Sequence, residues 1–192
     1  VMGGGIAWAF ANKDIPVRMK DIKQESVNLG YQQAAENFGY ALKKKKLTKN
    51  QFMGKMGMIS GTLDYSGFRN LDVVVEAVVE NMDVKKKVLA ETENYISSNC
   101  VYASNTSSLS ITEMASVAKR PENVGGLHFF NPVSIMPLLE VARTSKTDDA
   151  TTATAVSVGK ELKKTMIICK DAPGFVVNRL LTRFMGEVTD AI

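Results

Sequence analysis

His128 is the only histidine of the chain, in the run His128-Phe129-Phe130-Asn131-Pro132, and an acid, Glu140, follows twelve positions on. An imidazole flanked by two aromatics and an asparagine is either an ordinary packed residue or the one base available near neutral pH. Composition alone favours packing. The amino-terminal stretch Val1-Met2-Gly3-Gly4-Gly5-Ile6-Ala7 tips the balance, because it reads as the second half of a GxGxxG fingerprint. Glycines at such a site let the backbone approach a pyrophosphate, which a helix N-terminus then stabilises. Three glycines would suit any tight turn, so the support comes from Asp21. It ends the next strand, about twenty residues on, where a ribose-binding carboxylate belongs. A carboxylate accepts hydrogen bonds from both ribose hydroxyls and repels a 2′-phosphate, which favours NAD over NADP. Lys23, close by, softens that preference slightly. A dinucleotide site of this kind needs a base, and His128 is the one to hand.

The bulk properties narrow the class further. At 192 residues the chain suits one domain, with the start of a second, and 45% hydrophobic with 23% charged residues can fill a sizeable core. A net charge of +4 is too weak and scattered for nucleic acid, although it suits an anionic small molecule. Cys100 and Cys169 lack metal-ligand spacing and read as free thiols of a reducing compartment, with no metal expected. No run of apolar residues is long enough for a transmembrane segment, and no cationic leader precedes a hydrophobic stretch, which points to a cytoplasmic protein. Asn105-Thr106-Ser107 matches a glycosylation triplet, but without a signal peptide the match carries no meaning.

Helix and strand signals alternate throughout, as in a parallel sheet covered by helices. Gly3 to Asn12 reads as a helix start, and Val17 to Asp21 as a short strand. Val27, Tyr31, Ala34, Phe38 and Ala41 recur at helical spacing on a long amphipathic helix, whose tail is Lys43-Lys44-Lys45-Lys46. That tail is most simply a solvated helix end complementing the dipole; phosphate attraction is the second account. A short helix over Thr48–Met56 and a weak strand over Met58–Leu63 follow. Leu71 to Val75 is an apolar, β-branched run expected to be a strand buried on both faces and continuing to Glu80. Asn81 and Asp83 cap a helix with Val84, Val88 and Leu89 on one side. Val101–Ala103 is a buried strand with the loop Ser104–Ser108 behind it, and Ser110 with Glu113 fits a capping box. Strands near Val124–His128 and Leu138–Val141 flank the Asn131-Pro132 turn. A helix over about Asp149–Leu162 leads to a strand at Thr165–Cys169, and Asp171-Ala172-Pro173-Gly174 breaks the chain before a final helix.

The expected architecture is therefore α/β, a Rossmann-type doubly wound and mostly parallel sheet. The first strand, central in the order 3-2-1-4-5-6, would lie before Val1. Leaving it out exposes two inner edges at about 1–3 kcal/mol per unpaired buried group, so the sequence reads as a fragment of a longer protein. Residues 1–173 are expected to form the nucleotide-binding domain and residues 174–192 to begin a second, helical one.

Five stretches together resemble the L-3-hydroxyacyl-CoA dehydrogenase family. They are Gly3-Gly4-Gly5-Ile6-Ala7, Val75-Glu76-Ala77-Val78-Val79-Glu80-Asn81, Ser104-Asn105-Thr106-Ser107-Ser108, His128-Phe129-Phe130-Asn131-Pro132 and Asp171-Ala172-Pro173-Gly174-Phe175-Val176-Val177-Asn178-Arg179. Within the family, Val78-Val79-Glu80 to Lys85-Lys86-Lys87 is most similar to the dehydrogenase part of bacterial multifunctional α subunits of fatty-acid oxidation. The resemblance implies NAD-dependent oxidation of the 3-hydroxyl of an acyl-CoA, with His128 as base and Glu140 as the carboxylate that fixes its tautomer. Glu140 sits among apolar neighbours, Leu138-Leu139-Glu140-Val141, and an acid there wants a partner. Ser107 and Asn178 match residues near the reacting oxygen and the cofactor. Met2, Gly3, Asp21, Val78, Val79, Glu80, Lys85, Ser107 and Asn131 match the cofactor side. Lys44 lies where the family's long helical hairpin meets coenzyme A. The resemblance further implies a homodimer, or assembly with a thiolase subunit, through regions outside this sequence.

Two rival readings stand beside this one. A relative specific for 3-hydroxybutyryl-CoA would work reductively, and a non-catalytic Rossmann-fold binding protein would have no use for His128, Glu140, Ser107 and Asn178 together.

Overall fold

The computed structural model describes residues 2–190; Val1, Ala191 and Ile192, at the outer ends of the two expected domains, lie outside the described residues. Helix α1 (Met2–Ala11) is made of small and apolar residues because it packs in two directions at once. Ile6 and Ala9 enter a core with Leu127, Phe129, Leu139 and Val141. Ala7 and Ala11 enter another with Ala34, Phe38 and Ile59. Its crossing with α2 (Gln24–Lys43) is close. A Cβ on Gly4 would stand 2.9 Å from both the Cα and the carbonyl oxygen of Gly30, so this glycine serves helix packing.

Strands β1 (Val17–Lys20) and β2 (Ile59–Thr62) pair in parallel, Val17 opposite Ile59. Between them run α2 and α3 (Lys49–Gly57), and Thr48 opens α3 with a reciprocal capping box to Gln51. The lysine run closes α2: Lys43 is the last helical residue, Lys44 the cap, and Lys45 turns to φ 57°.

A second sheet holds β3 (Val73–Glu76), β4 (Val101–Ser104), β5 (Val124–Phe129), β6 (Leu138–Arg143) and β7 (Thr165–Lys170) in that order. All neighbours are parallel except β5 and β6. Among the described residues no ladder joins the two sheets. The split falls between β1 and β3, where a Rossmann order places its first strand. It explains why Val73, Val74 and Val75 are only half-buried, whereas a strand covered on both faces was expected: β3 is an edge. The strand also stops at Glu76 rather than running to Glu80. Helices α4 (Met82–Thr92) and α5 (Ile111–Met114) cover one face of this sheet, over Tyr102, Val124 and Ala142. Helices α1 and α6 (Asp149–Glu161) cover the other.

Helix α4 departs from the expected face. Asn81 caps it as anticipated, through Val84 N, but Val84 is exposed and the buried line is Lys85, Leu89 and Thr92. Hydrophobicity alone would have turned Lys85 outward, and an ion pair described below turns it in. After β7, residues 171–176 make a turn with Gly174 at φ 72° and Phe175 at φ 47°, and α7 (Val177–Asp190) follows. A Cβ on Gly174 would lie 2.9 Å from Arg179 N, so this position requires glycine on both counts. Among the described residues no helix is long and apolar enough to cross a membrane, and no three His, Cys, Asp or Glu side chains gather as metal ligands.

Candidate active site

The antiparallel β5–β6 pair sets His128 directly opposite Glu140. Opposite residues of a strand pair share a face, so these side chains must meet, and His128 Nδ1 lies 2.7 Å from Glu140 Oε2. Both are buried, Glu140 completely. An ionised carboxylate can only accept, so Nδ1 carries the proton and Nε2 presents its lone pair. No hydrogen bond among the described residues reaches Nε2. The imidazole is held between Phe130 and Phe175, at ring-centroid distances of 4.4 and 5.8 Å. The other Glu140 oxygen accepts from Val176 N at 3.1 Å and Val177 N at 2.9 Å. One carboxylate therefore fixes the imidazole and docks the start of α7.

A second buried group stands at the C-terminal ends of β3 and β4. Glu76 accepts from Lys85 Nζ (2.8 and 3.2 Å), Ser104 Oγ (2.7 Å) and Val78 N (2.7 Å). Lys85 also reaches Glu80 at 3.3 Å. Glu80 in turn accepts from Thr106 Oγ1 at 2.5 Å and Ser107 N at 3.1 Å. Partial burial pushes the Glu80 carboxyl up, but the Thr106 hydroxyl, the Ser107 N–H and Lys85 outweigh it and hold it below the usual range. Ser107 O accepts from Asn178 Nδ2 at 3.3 Å, which brings the loop after β4 and the first turn of α7 together. Asn105 Oδ1 accepts from Phe129 N at 2.8 Å and ties the same loop to the histidine strand. Asp171 fastens α5 by accepting from Ser110 Oγ, Ile111 N and Thr112 N at 2.9, 3.1 and 2.7 Å.

The structure thus links His128 to Glu140, and Ser107 to Asn178, Glu80 and Lys85. Lys85 is buried in an ion pair, against the ordinary expectation for a lysine run. Asp21 stands just past β1, with Lys23 N on its carboxylate at 3.1 Å. Val78 and Val79 are exposed apolar side chains beyond β3, and Asn131 is exposed beyond β5. Gly3 opens the first turn of α1, and a Cβ there would meet nothing within 4 Å. Open backbone at a helix N-terminus, a ribose-type acid and exposed apolar side chains at strand ends are groups that fit a dinucleotide. Lys44 contacts none of these groups; its ammonium lies 5.8 Å from the Tyr40 ring. The capping box expected at Ser110 is half present: Ser110 accepts from Glu113 N, while Glu113 pairs with Lys86. Burial pushes the Cys100 and Cys169 thiols up to about 11, which leaves them protonated and unreactive.

Glu76, Ser104, Thr106, Asn105 and Asp171 had no assigned role in the sequence reading. Glu76 carried the same signal as Glu140, an acid inside an apolar strand, and could have been found by it. Asp171 and the loop residues gave no such signal, because acids and hydroxyls in loops are ordinary.

Residues 1–172 match the family described as 3-hydroxyacyl-CoA dehydrogenase, NAD binding domain. The fatty acid oxidation complex subunit alpha of Pseudomonas putida strain F1 is 46% identical over 186 residues, which is 97% of this chain and 26% of that protein. The chain therefore spans about a quarter of that relative. The crystal structure of (S)-3-hydroxybutyryl-CoA dehydrogenase from Ralstonia eutropha superposes with a TM-score of 0.93 at 40% identity, covering 97% of this chain and 66% of that one. That of 3-hydroxybutyryl-CoA dehydrogenase from Escherichia coli K12 gives 0.91 at 29% identity, over 96% of this chain and 39% of that one. Sequence and fold agree: the chain belongs to the NAD-binding domain of the 3-hydroxyacyl-CoA dehydrogenase family.

Proposed function

We propose that the protein oxidises L-3-hydroxyacyl-CoA to 3-ketoacyl-CoA in fatty-acid β-oxidation, with His128 as the base. The observation that carries this reading is the Nδ1–Glu140 bond, which leaves Nε2 as a lone pair held in a buried setting. That nitrogen takes the hydroxyl proton, and Glu140 stabilises the imidazolium that results. Bound NAD supplies the hydride acceptor. Ser107 and Asn178, joined through the Ser107 carbonyl, offer neutral donors to the developing ketone oxygen without trapping a charge. Asp21 takes the ribose hydroxyls of the cofactor, and Gly3 with the N-terminus of α1 takes its pyrophosphate. Val78 and Val79 flank the nucleotide, with Met2 beside the pyrophosphate and Asn131 at its nicotinamide end. Lys44 meets the phosphates of coenzyme A. Assembly as a homodimer or with a thiolase subunit belongs to the same reading, through segments beyond these residues.

A second direction of use is favoured by one finding, the close superposition on an enzyme named for 3-hydroxybutyryl-CoA. In that case the same residues return a proton to a short-chain ketone. The protein purified with its natural flanking sequence is mixed with NAD and 3-hydroxyacyl-CoA thioesters of graded chain length, and NADH absorbance is followed. NADH formation with long chains supports the first reading. Turnover confined to acetoacetyl-CoA and NADH supports the second, and no turnover in either direction removes both.

A further inference from the structure

Glu76 is 4% exposed, yet it holds four hydrogen bonds to three elements. Its partners are the ammonium of Lys85 on α4, the hydroxyl of Ser104 at the end of β4 and the amide of Val78 in the turn after β3. Lys85, 1% exposed, has one further charged neighbour, Glu80 at 3.3 Å. The cluster therefore holds two carboxylates against a single ammonium. Glu80 divides its acceptor capacity between that ammonium and the loop after β4, through Thr106 Oγ1 and Ser107 N. Glu76, taking the shorter contacts to Lys85, leaves Glu80 free to hold Ser107 where Asn178 meets it. Without the Glu76 charge, Lys85 has one carboxylate left to satisfy it, and a buried ammonium will draw that carboxylate inward. The Ser107 loop would follow.

We propose that Glu76 is a positioning residue: it anchors Lys85 so that Glu80, and through it Ser107 and the turn at Val78, keep the geometry that grips NAD. This deepens the dehydrogenase reading and rests on it. Lys85 then acts mainly as the link between two acids, with its ammonium turned into the protein.

The test uses the protein with its natural flanking sequence, NADH binding read by nucleotide fluorescence, and thermal unfolding as a check on folding. Glu76→Gln keeps the size and removes the charge. NADH Kd is expected to rise about tenfold, the scale of a lost hydrogen bond to a charged group, and Glu76→Asp is expected to recover part of that loss. The pair Glu76→Leu with Lys85→Met replaces the ion pair by apolar volume, a change that commonly preserves or raises stability, and is expected to retain the binding loss. Ser104→Ala keeps both charges and removes the bond to Glu76 together with the one its hydroxyl accepts from Thr106 N at 3.2 Å, and an increase of about threefold is expected. The acidic limb of the kcat/KM profile should stay where it is in every variant, because the cluster does not touch His128. Parent-like NADH binding in the folded variants overturns the positioning role alone. A parent protein that binds no NADH overturns the dehydrogenase reading as well, and a shifted acidic limb shows that the cluster acts on the base instead.

Discussion

Glu76 and Glu140 are two answers to one physical problem. Each is an acid set in an apolar strand, each is buried, and each accepts from a side-chain nitrogen and from nearby backbone N–H groups, one for Glu76 and two for Glu140. The partners differ in kind. The Lys85 ammonium can only donate, so its pair with Glu76 serves to hold a shape. The His128 imidazole has a second nitrogen, Nε2, that no hydrogen bond among the described residues reaches, so its pair keeps an open acceptor. Burial of an acid predicts a partner; whether that partner keeps a free acceptor separates a scaffold from a candidate base.

The sharpest way to break that contrast is at the imidazole. His128→Ala is expected to lower kcat about 10²- to 10⁴-fold, the usual contribution of a general base, while NADH affinity stays near the parent value. Glu140→Gln keeps an acceptor for the Val176 and Val177 amides and should cost less than His128→Ala. Turnover measured beside fluorescence titration checks both. A larger loss in Glu140→Gln would make the carboxylate the base and erase the distinction from Glu76.

At the other acid the expected loss is in stability. Lys85→Met alone strands Glu76 as a buried unpaired charge and is expected to destabilise the fold by about 3–5 kcal/mol, measured by urea unfolding. A cost under about 1 kcal/mol would mean that water or a neighbour satisfies Glu76 unaided, and that the pair holds no shape.

The two acids were also unequally legible. Alternation of helix and strand, with turn residues at the breaks, made nearly every element readable before any coordinates. The exceptions have local causes. Strand β3 was expected to be covered on both faces because Leu71 to Val75 are apolar, but its burial depends on a neighbour that no residue within it encodes. Helix α4 was expected to bury Val84, and it buries Lys85 because the acid that pairs with it lies nine residues back on another element. His128 and Glu140 were legible through resemblance to a family. Glu76 lies within a motif of that same family, and its apolar surroundings pose the same question as those of Glu140. Asp171 and Asn105 act through backbone amides on distant segments, and nothing in their own neighbourhoods announces it.

Asp21 sharpens the comparison from outside, as an acid that is partly exposed and whose carboxylate, among the described residues, accepts only from the local Lys23 amide. It has room for a ligand where Glu76 and Glu140 have none. Asp21→Ala should weaken NADH about tenfold, by loss of hydrogen bonds to a charged acceptor, and weaken NADPH less. An unchanged ratio of the two dissociation constants would show that this carboxylate does not meet the ribose.

Asp171 is a third arrangement: its carboxylate meets a hydroxyl and two amides, with no cation among these partners. Partial burial raises its pKa, but the bonds from Thr112, Ile111 and Ser110 outweigh it and hold the carboxyl below its ordinary value. The folded state therefore binds this proton more weakly than the unfolded chain does. Its stabilisation is complete above the ordinary carboxylate pKa of about 4 and is lost as pH falls through the lowered value. Asp171→Asn should cost about 1 kcal/mol near neutrality, the scale of a lost helix cap, with solvent screening keeping it from being larger. A chain of this size then melts about 2–4 °C lower, and the gap between parent and variant should narrow as pH falls below about 4. A gap that persists undiminished in acid would show that the amides recognise the shape of the side chain and that its charge contributes nothing.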